Sequence, residues 1–80
     1  MFYGILIRMY YDDHNPPHIH AIYNDEKACF DLEGNMFDGS LPIKQKKLVE
    51  AWIAIHQDEL IADWKLAKEG EPVFKIDPLR

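Results

Sequence analysis

Three of the four histidines fall within seven residues: His14, His18 and His20, in the run His14-Asn15-Pro16-Pro17-His18-Ile19-His20. Imidazole exchanges a proton near neutral pH, so a cluster of this kind is the natural place to look for chemistry. His18 and His20 are two residues apart, and on an extended strand both rings project from one side. Pro16-Pro17 stiffens the backbone between them and His14. Flanked by carboxylates, such a pair transfers protons, because an opposed anion favours the imidazolium and fixes the tautomer. Flanked by further donors, it holds a divalent metal such as zinc, which accepts nitrogen and oxygen ligands. The plainer alternative is that each His–acid pair steadies a solvated sheet face by about 0.2–1 kcal/mol.

The carboxylates are near at hand. Residues 18–23 (HIHAIY) and 28–33 (ACFDLE) both alternate, with Asn24-Asp25-Glu26-Lys27 as the turn between them. A four-residue turn sets Ile19, Ala21 and Tyr23 opposite Leu32, Phe30 and Ala28 as one apolar face. On the other face His18 meets Glu33, His20 meets Asp31 and Ile22 meets Cys29. Arg8 and Tyr10 belong to the same polar face, and His14 reaches its edge. The candidate catalytic set is His14, His18, His20, Asp31, Glu33 and Arg8. With Arg8 stabilising an anion, these side chains suit ribonuclease-like phosphodiester cleavage by paired histidines. The divalent-metal alternative uses the same histidines, His18 and His20 foremost, with Asp31 or Glu33. It ranks below the metal-free reading, since neither a Cys pair nor a helical H-E-x-x-H accompanies them, and no other cofactor is expected.

Residues 3–11 (YGILIRMYY) read as a first strand, with Ile5, Ile7 and Met9 towards the core. Residues 12–17 contain two prolines and cannot extend a paired strand, and 34–39 read as a connecting loop. From Pro42 to about Glu69 the period turns helical, with Ser40 ahead of the start and Gly70 and Pro72 as stop signals. One straight helix of that length would span about 42 Å, and the apolar stripe drifts from Leu48, Val49, Trp52, Ile53 and Ile55 to Leu60, Ile61, Trp64 and Ala67. A bend or break near His56–Asp58 follows, although neither Gly nor Pro is there to cause it. The tail from Val73 to Ile76 supplies a further edge strand before Pro78. His56, one turn after Trp52 and just before Asp58 and Glu59, reads as a helix-face histidine rather than a member of the cluster. Lys44, Lys46 and Lys47 read as a solvated helix face. Trp52 and Trp64 sit at apolar helical positions and read mainly as core, yet the apolar stripe is wider than a surface helix needs, which points to a docking surface around Trp52, Trp64 and Ile61 for a partner or a homodimer.

Eighty residues hold one domain, and 48% apolar content with 12% aromatic is that of a folded chain rather than a disordered one. No stretch is long and apolar enough to read as a membrane span. The net charge of −5 argues against a basic nucleic-acid module, and it is unevenly placed. Residues 1–40 hold two basic and seven acidic side chains, whereas 41–80 hold seven of each. The histidine cluster therefore lies in the acidic half. A single cysteine, Cys29, leaves no internal disulfide and suits a reducing compartment, so the expected location is cytoplasmic. A domain this small often needs a metal or a partner chain as reinforcement.

The run H-x-P-P-H-x-H at 14–20, Gly39-Ser40-Leu41-Pro42 and the stretch from Leu48 through Trp52 to His56 resemble a small bacterial family of unknown function, the one numbered forty-one sixty. The resemblance continues through Glu59-Leu60, Trp64 and Ile76-Asp77-Pro78-Leu79, and so covers nearly the whole chain. It implies a growth-inhibiting toxin of a type II toxin–antitoxin pair, neutralised by a cognate antitoxin protein, and carries no settled chemistry with it. Together these readings give an α+β domain: a small antiparallel sheet of three strands, or four with the tail, followed by a long or broken helix. The expected action is on RNA through the histidine face; the alternative is a non-catalytic protein- or metal-binding module.

Overall fold

The computed structural model describes residues 2–10, 16–72 and 76. His14 and the expected tail strand at 73–75 lie outside them. Four strands, β1 (Ile5–Arg8), β2 (His18–Tyr23), β3 (Glu26–Asp31) and β4 (Met36–Gly39), precede two helices, α1 (Ile43–Ile55) and α2 (Gln57–Lys68). The strands form an antiparallel sheet in the order β1-β2-β3-β4, and the fold is α+β as the pattern implies. Ahead of β1, Phe2 and Ile5 exchange backbone hydrogen bonds of 3.0 and 2.7 Å across a two-residue turn. Its central residues Tyr3 and Gly4 both have positive φ (48° and 76°), as a type I′ turn demands.

Alternation decides which side of the sheet is buried. Ile5, Ile19, Ala21, Ala28 and Phe30 are almost completely enclosed, against Val49, Trp52 and Ile53 of α1 and Leu60 and Trp64 of α2. Phe2 closes one end by stacking on Trp52, centroid to centroid 5.6 Å. Phe30 is the largest side chain buried outright, and truncating a residue of that kind costs about 3–5 kcal/mol.

A fourth strand forms in the segment that reads as a connecting loop. Residues 36–39 pair with β3, in a segment whose Gly, Asn and Asp content reads as loop. A β-bulge explains the disguise: Cys29 pairs with Asp38 but Phe30 pairs with Met36, leaving Phe37 as the extra residue. Alternation is broken at that point, so no period-2 signal survives over four residues.

The helical region does break at His56, which takes φ −112° and ψ 22° between α1 and α2. The drift argument for the break used Ile55 and Ile61, and both are exposed. Ile53, Leu60 and Ala67, seven residues apart, are buried and nearly in phase. Length is the better reason. A straight helix over 43–68 would run about 39 Å, beyond the longest dimension of the molecule, 33 Å. The junction is held by His56 Nδ1–H donating to Glu59 Oε1 at 2.7 Å, and by Gln57 Nε2 donating to the Leu32 carbonyl at 2.9 Å. At the far end Glu71 N–H bonds the Leu66 carbonyl and Gly70 N–H that of Ala67, a Schellman stop around Gly70 at φ 73°. No described helix is long and apolar enough to cross a membrane.

Candidate functional site

The hairpin that carries His18 and His20 has a shorter turn than alternation suggests. Asn24 adopts the left-handed region at φ 52°, which Asn tolerates, and the turn closes with only Asn24 and Asp25 between Tyr23 and Glu26. Every β2 residue therefore pairs two positions earlier on β3 than a four-residue turn requires. His18 lies opposite Asp31, not Glu33, and His20 opposite Cys29, not Asp31. A shift of two preserves the faces, whereas a shift of one would have exchanged them. The histidines stay on the side away from Ile19 and Ala21, with new neighbours.

The correct register creates one continuous row across all four strands. Arg8 pairs with His20, His20 with Cys29, and Cys29 with Asp38. Cys29 Sγ lies 3.4 Å from His20 Nδ1. The Tyr10 ring meets His20 edge-on at 4.6 Å. Tyr10, His20, Ile22, Lys27, Cys29 and Asp38 line an open depression of about 250 Å³ on this face.

His18 is placed differently. It is 6% exposed, with rings of His20, Trp64 and Phe37 at 4.9, 5.3 and 5.6 Å. Its Nδ1 is 2.6 Å from the Pro16 carbonyl oxygen. A carbonyl only accepts, so Nδ1 carries the proton and the lone pair of the neutral ring falls on Nε2. Pro16-Pro17 thus position His18 through a backbone acceptor as well as through stiffness. The bulge lets Phe37 and Asp38 both serve the histidine side, Phe37 against His18 and Asp38 opposite Cys29. Trp64 brings α2 to the same end of that face.

The two carboxylates expected to pair with the histidines have other work. Asp31 Oδ1 accepts the backbone N–H groups of Glu33 and Asn35, both at 2.9 Å, and Oδ2 accepts Asn35 Nδ2 at 3.1 Å. Burial pushes its carboxyl up, but the bonds from Asn35, Glu33 and Gly34 outweigh that and hold it below the ordinary aspartate value. Asp31 is the keystone of the β3–β4 turn. Glu33 is an exposed residue of that turn.

The matching family model, that of a domain of unknown function (DUF4160), spans residues 4–65, from the turn before β1 to Lys65 of α2. The chain belongs to this family. No curated protein and no solved structure matches it significantly. Within this DUF4160 domain the described part of the signature run, Pro16 to His20, builds the start of β2 and the histidine face.

The remaining candidates of the DUF4160 chain sort by burial. Trp52 and Trp64 belong to the core at 4% and 6% exposure, so neither presents the docking surface expected of it. Ile61 of that trio stays on the surface. His56 sits 5.5 Å from the Trp52 ring and bonds Glu59, which fits the structural role read for it. Lys44 and Lys47 are exposed at the start of α1 and Lys46 is half-buried. Among the described residues no group of three or more His, Cys, Asp and Glu side chains is arranged to hold a metal ion. His14, the third histidine of the metal reading, is outside that set.

Cys29 and Asp38 are the members of the DUF4160 row that the sequence reading missed as candidates. Counting the turn as Asn24-Asp25 alone would have brought Cys29 opposite His20. Nothing local to residues 36–39 would have found Asp38.

Proposed function

We propose that this domain is the growth-inhibiting component of a bacterial type II toxin–antitoxin pair, acting in the cytoplasm on RNA through the sheet face centred on His20. The observation that carries the reading is the cross-strand pairing of His20 with Arg8, a proton-exchanging group beside a fixed cation on an accessible face. That combination suits metal-independent cleavage of a phosphodiester. His20 takes the proton of a 2′-hydroxyl, the new bond forms between that oxygen and phosphorus, and the 5′-oxygen leaves and is protonated by solvent. Arg8 faces the charge that develops on the phosphoryl oxygens. His18, enclosed and bonded to Pro16, orients the neighbouring ring. A cognate antitoxin protein is the expected partner.

The test is inducible expression of the chain alone in a bacterium, comparing wild type with His20→Ala. Arrest by the wild type and growth of a folded His20→Ala variant is the expected result, with cleavage of RNA by purified wild type in excess chelator. Growth under wild-type induction would remove the toxin reading. Arrest that persists in His20→Ala would separate toxicity from this face.

A second reading, a non-catalytic module acting through a partner, is favoured by α1, which exposes Ile43 (73%) and Ile55 (64%). Equimolar co-purification of a protein that is lost on Ile55→Lys, with arrest unaffected by His20→Ala, would support it.

A further inference from the structure

Resting on that RNA reading, we propose that the histidine face is a stacking platform for a short stretch of single-stranded RNA, with Tyr10 and Phe37 as the two base-stacking side chains. Four rings follow one another across the sheet: Tyr10 lies 4.6 Å from His20, His20 4.9 Å from His18, and His18 5.6 Å from Phe37. Of the inner rings His18 is buried and His20 half-buried, and the outer two are open, Tyr10 at 47% and Phe37 at 51% exposure. Exposed aromatic rings on the polar side of a small sheet bring no core stability. The bulge at Phe37 breaks strand pairing and sets that ring beside His18. Each outer ring offers a flat π-surface to an unpaired base, and a base within a duplex cannot reach it.

Charge fits a short strand and a small number of phosphates. Arg8 stands opposite His20 and Lys27 lines the same depression as Tyr10. Asp38 opposes them there, and Asp31 is turned to the backbone of its own loop. Two cations in a chain of net charge −5 predict affinity that comes mainly from stacking. About two phosphate contacts on a single strand give a slope of about −1.4 in log affinity against log salt.

The probe is a fluorescein-labelled octanucleotide of mixed sequence carrying 2′-fluoro sugars, which cannot be cleaved, read by anisotropy against the full chain. The same strand annealed to its complement is the comparison. Expected are preference for the single strand, the shallow salt slope, and a loss of about 5- to 150-fold for Tyr10→Ala or Phe37→Ala. Tyr10→Phe and Phe37→Tyr, which keep the ring, retain affinity; thermal melts confirm that all four variants fold. Equal affinity for duplex, undiminished binding by both alanine variants, or no binding by the wild type would each overturn the platform. So would loss of a co-purifying protein partner in the alanine variants with RNA affinity unchanged. Growth arrest separates the two ideas: if wild type arrests growth and His20→Ala does not, while the alanine variants bind RNA normally, the toxin reading stands and the platform falls.

Discussion

Replacing Asp31 decides whether it belongs to the chemistry or to the scaffold. Asp31→Ala removes the acceptor of two backbone N–H groups at 2.9 Å and of the Asn35 amide at 3.1 Å. At about 0.5–1.5 kcal/mol net per bond, and with water able to replace part of what is lost in a solvent-facing turn, the expected destabilisation is about 1–3 kcal/mol. For a domain of this size each kcal/mol lowers Tm by about 4–8 °C. Urea titrations should show the midpoint falling with an unchanged slope. The pH dependence supplies a second check. Because its folded pKa lies below the unfolded one, Asp31 contributes stability that is complete well above the unfolded value of about 3.9 and is lost as pH falls through the folded value. The stability difference between wild type and Asp31→Asn should therefore be largest at neutral pH and shrink in acid. Growth arrest should survive in the folded variant. A stability loss under about 0.5 kcal/mol, well below that expected for these bonds, together with abolished arrest would refute this account and return Asp31 to the catalytic set.

Gly39→Ala places a Cβ 2.1 Å from the Lys27 carbonyl oxygen at φ 75° and should cost at least about 2 kcal/mol. Gly34→Ala, at φ 95° but with nothing within 4 Å, should cost only the backbone strain of about 1–2 kcal/mol, and denaturation of the pair separates clash from conformation. His18→Ala should destabilise by about 2–4 kcal/mol, since it empties a site enclosed by Trp64 and Phe37, whereas His20→Ala should cost about 1 kcal/mol. Thermal melts check that ranking, and it makes His20→Ala the cleaner functional probe. His56→Ala breaks the 2.7 Å bond to Glu59 at the α1–α2 junction; a loss of about 1 kcal/mol, matched by Glu59→Ala, is expected in denaturation.

Much of this domain was legible in local pattern. Alternation placed β2 without error, because Ile19 and Ala21 on one face enter the apolar core while the histidines occupy the other. The helical span, its stop at Gly70 and the break at His56 followed from period, stop residues and length. That His18 and His20 share a face required only the two-residue repeat. Their roles did not follow, because they depend on which residues lie across the strands. A turn of two residues instead of four re-paired His20 with Cys29, and Asn24 accepts the backbone conformation that makes the shorter turn possible. The bulge at Phe37 hid β4 and with it Asp38, since an extra residue cancels the alternation by which a strand is recognised. Burial separated two histidines that are alike in sequence: α2 brings Trp64 against His18, and His20 keeps its access to solvent. The sequence alone determined the first three strands, the helical span and which residues share a face, which are properties of neighbours along the chain. Tertiary structure decided the row Arg8–His20–Cys29–Asp38, because register and packing are set between strands and helices distant in the chain.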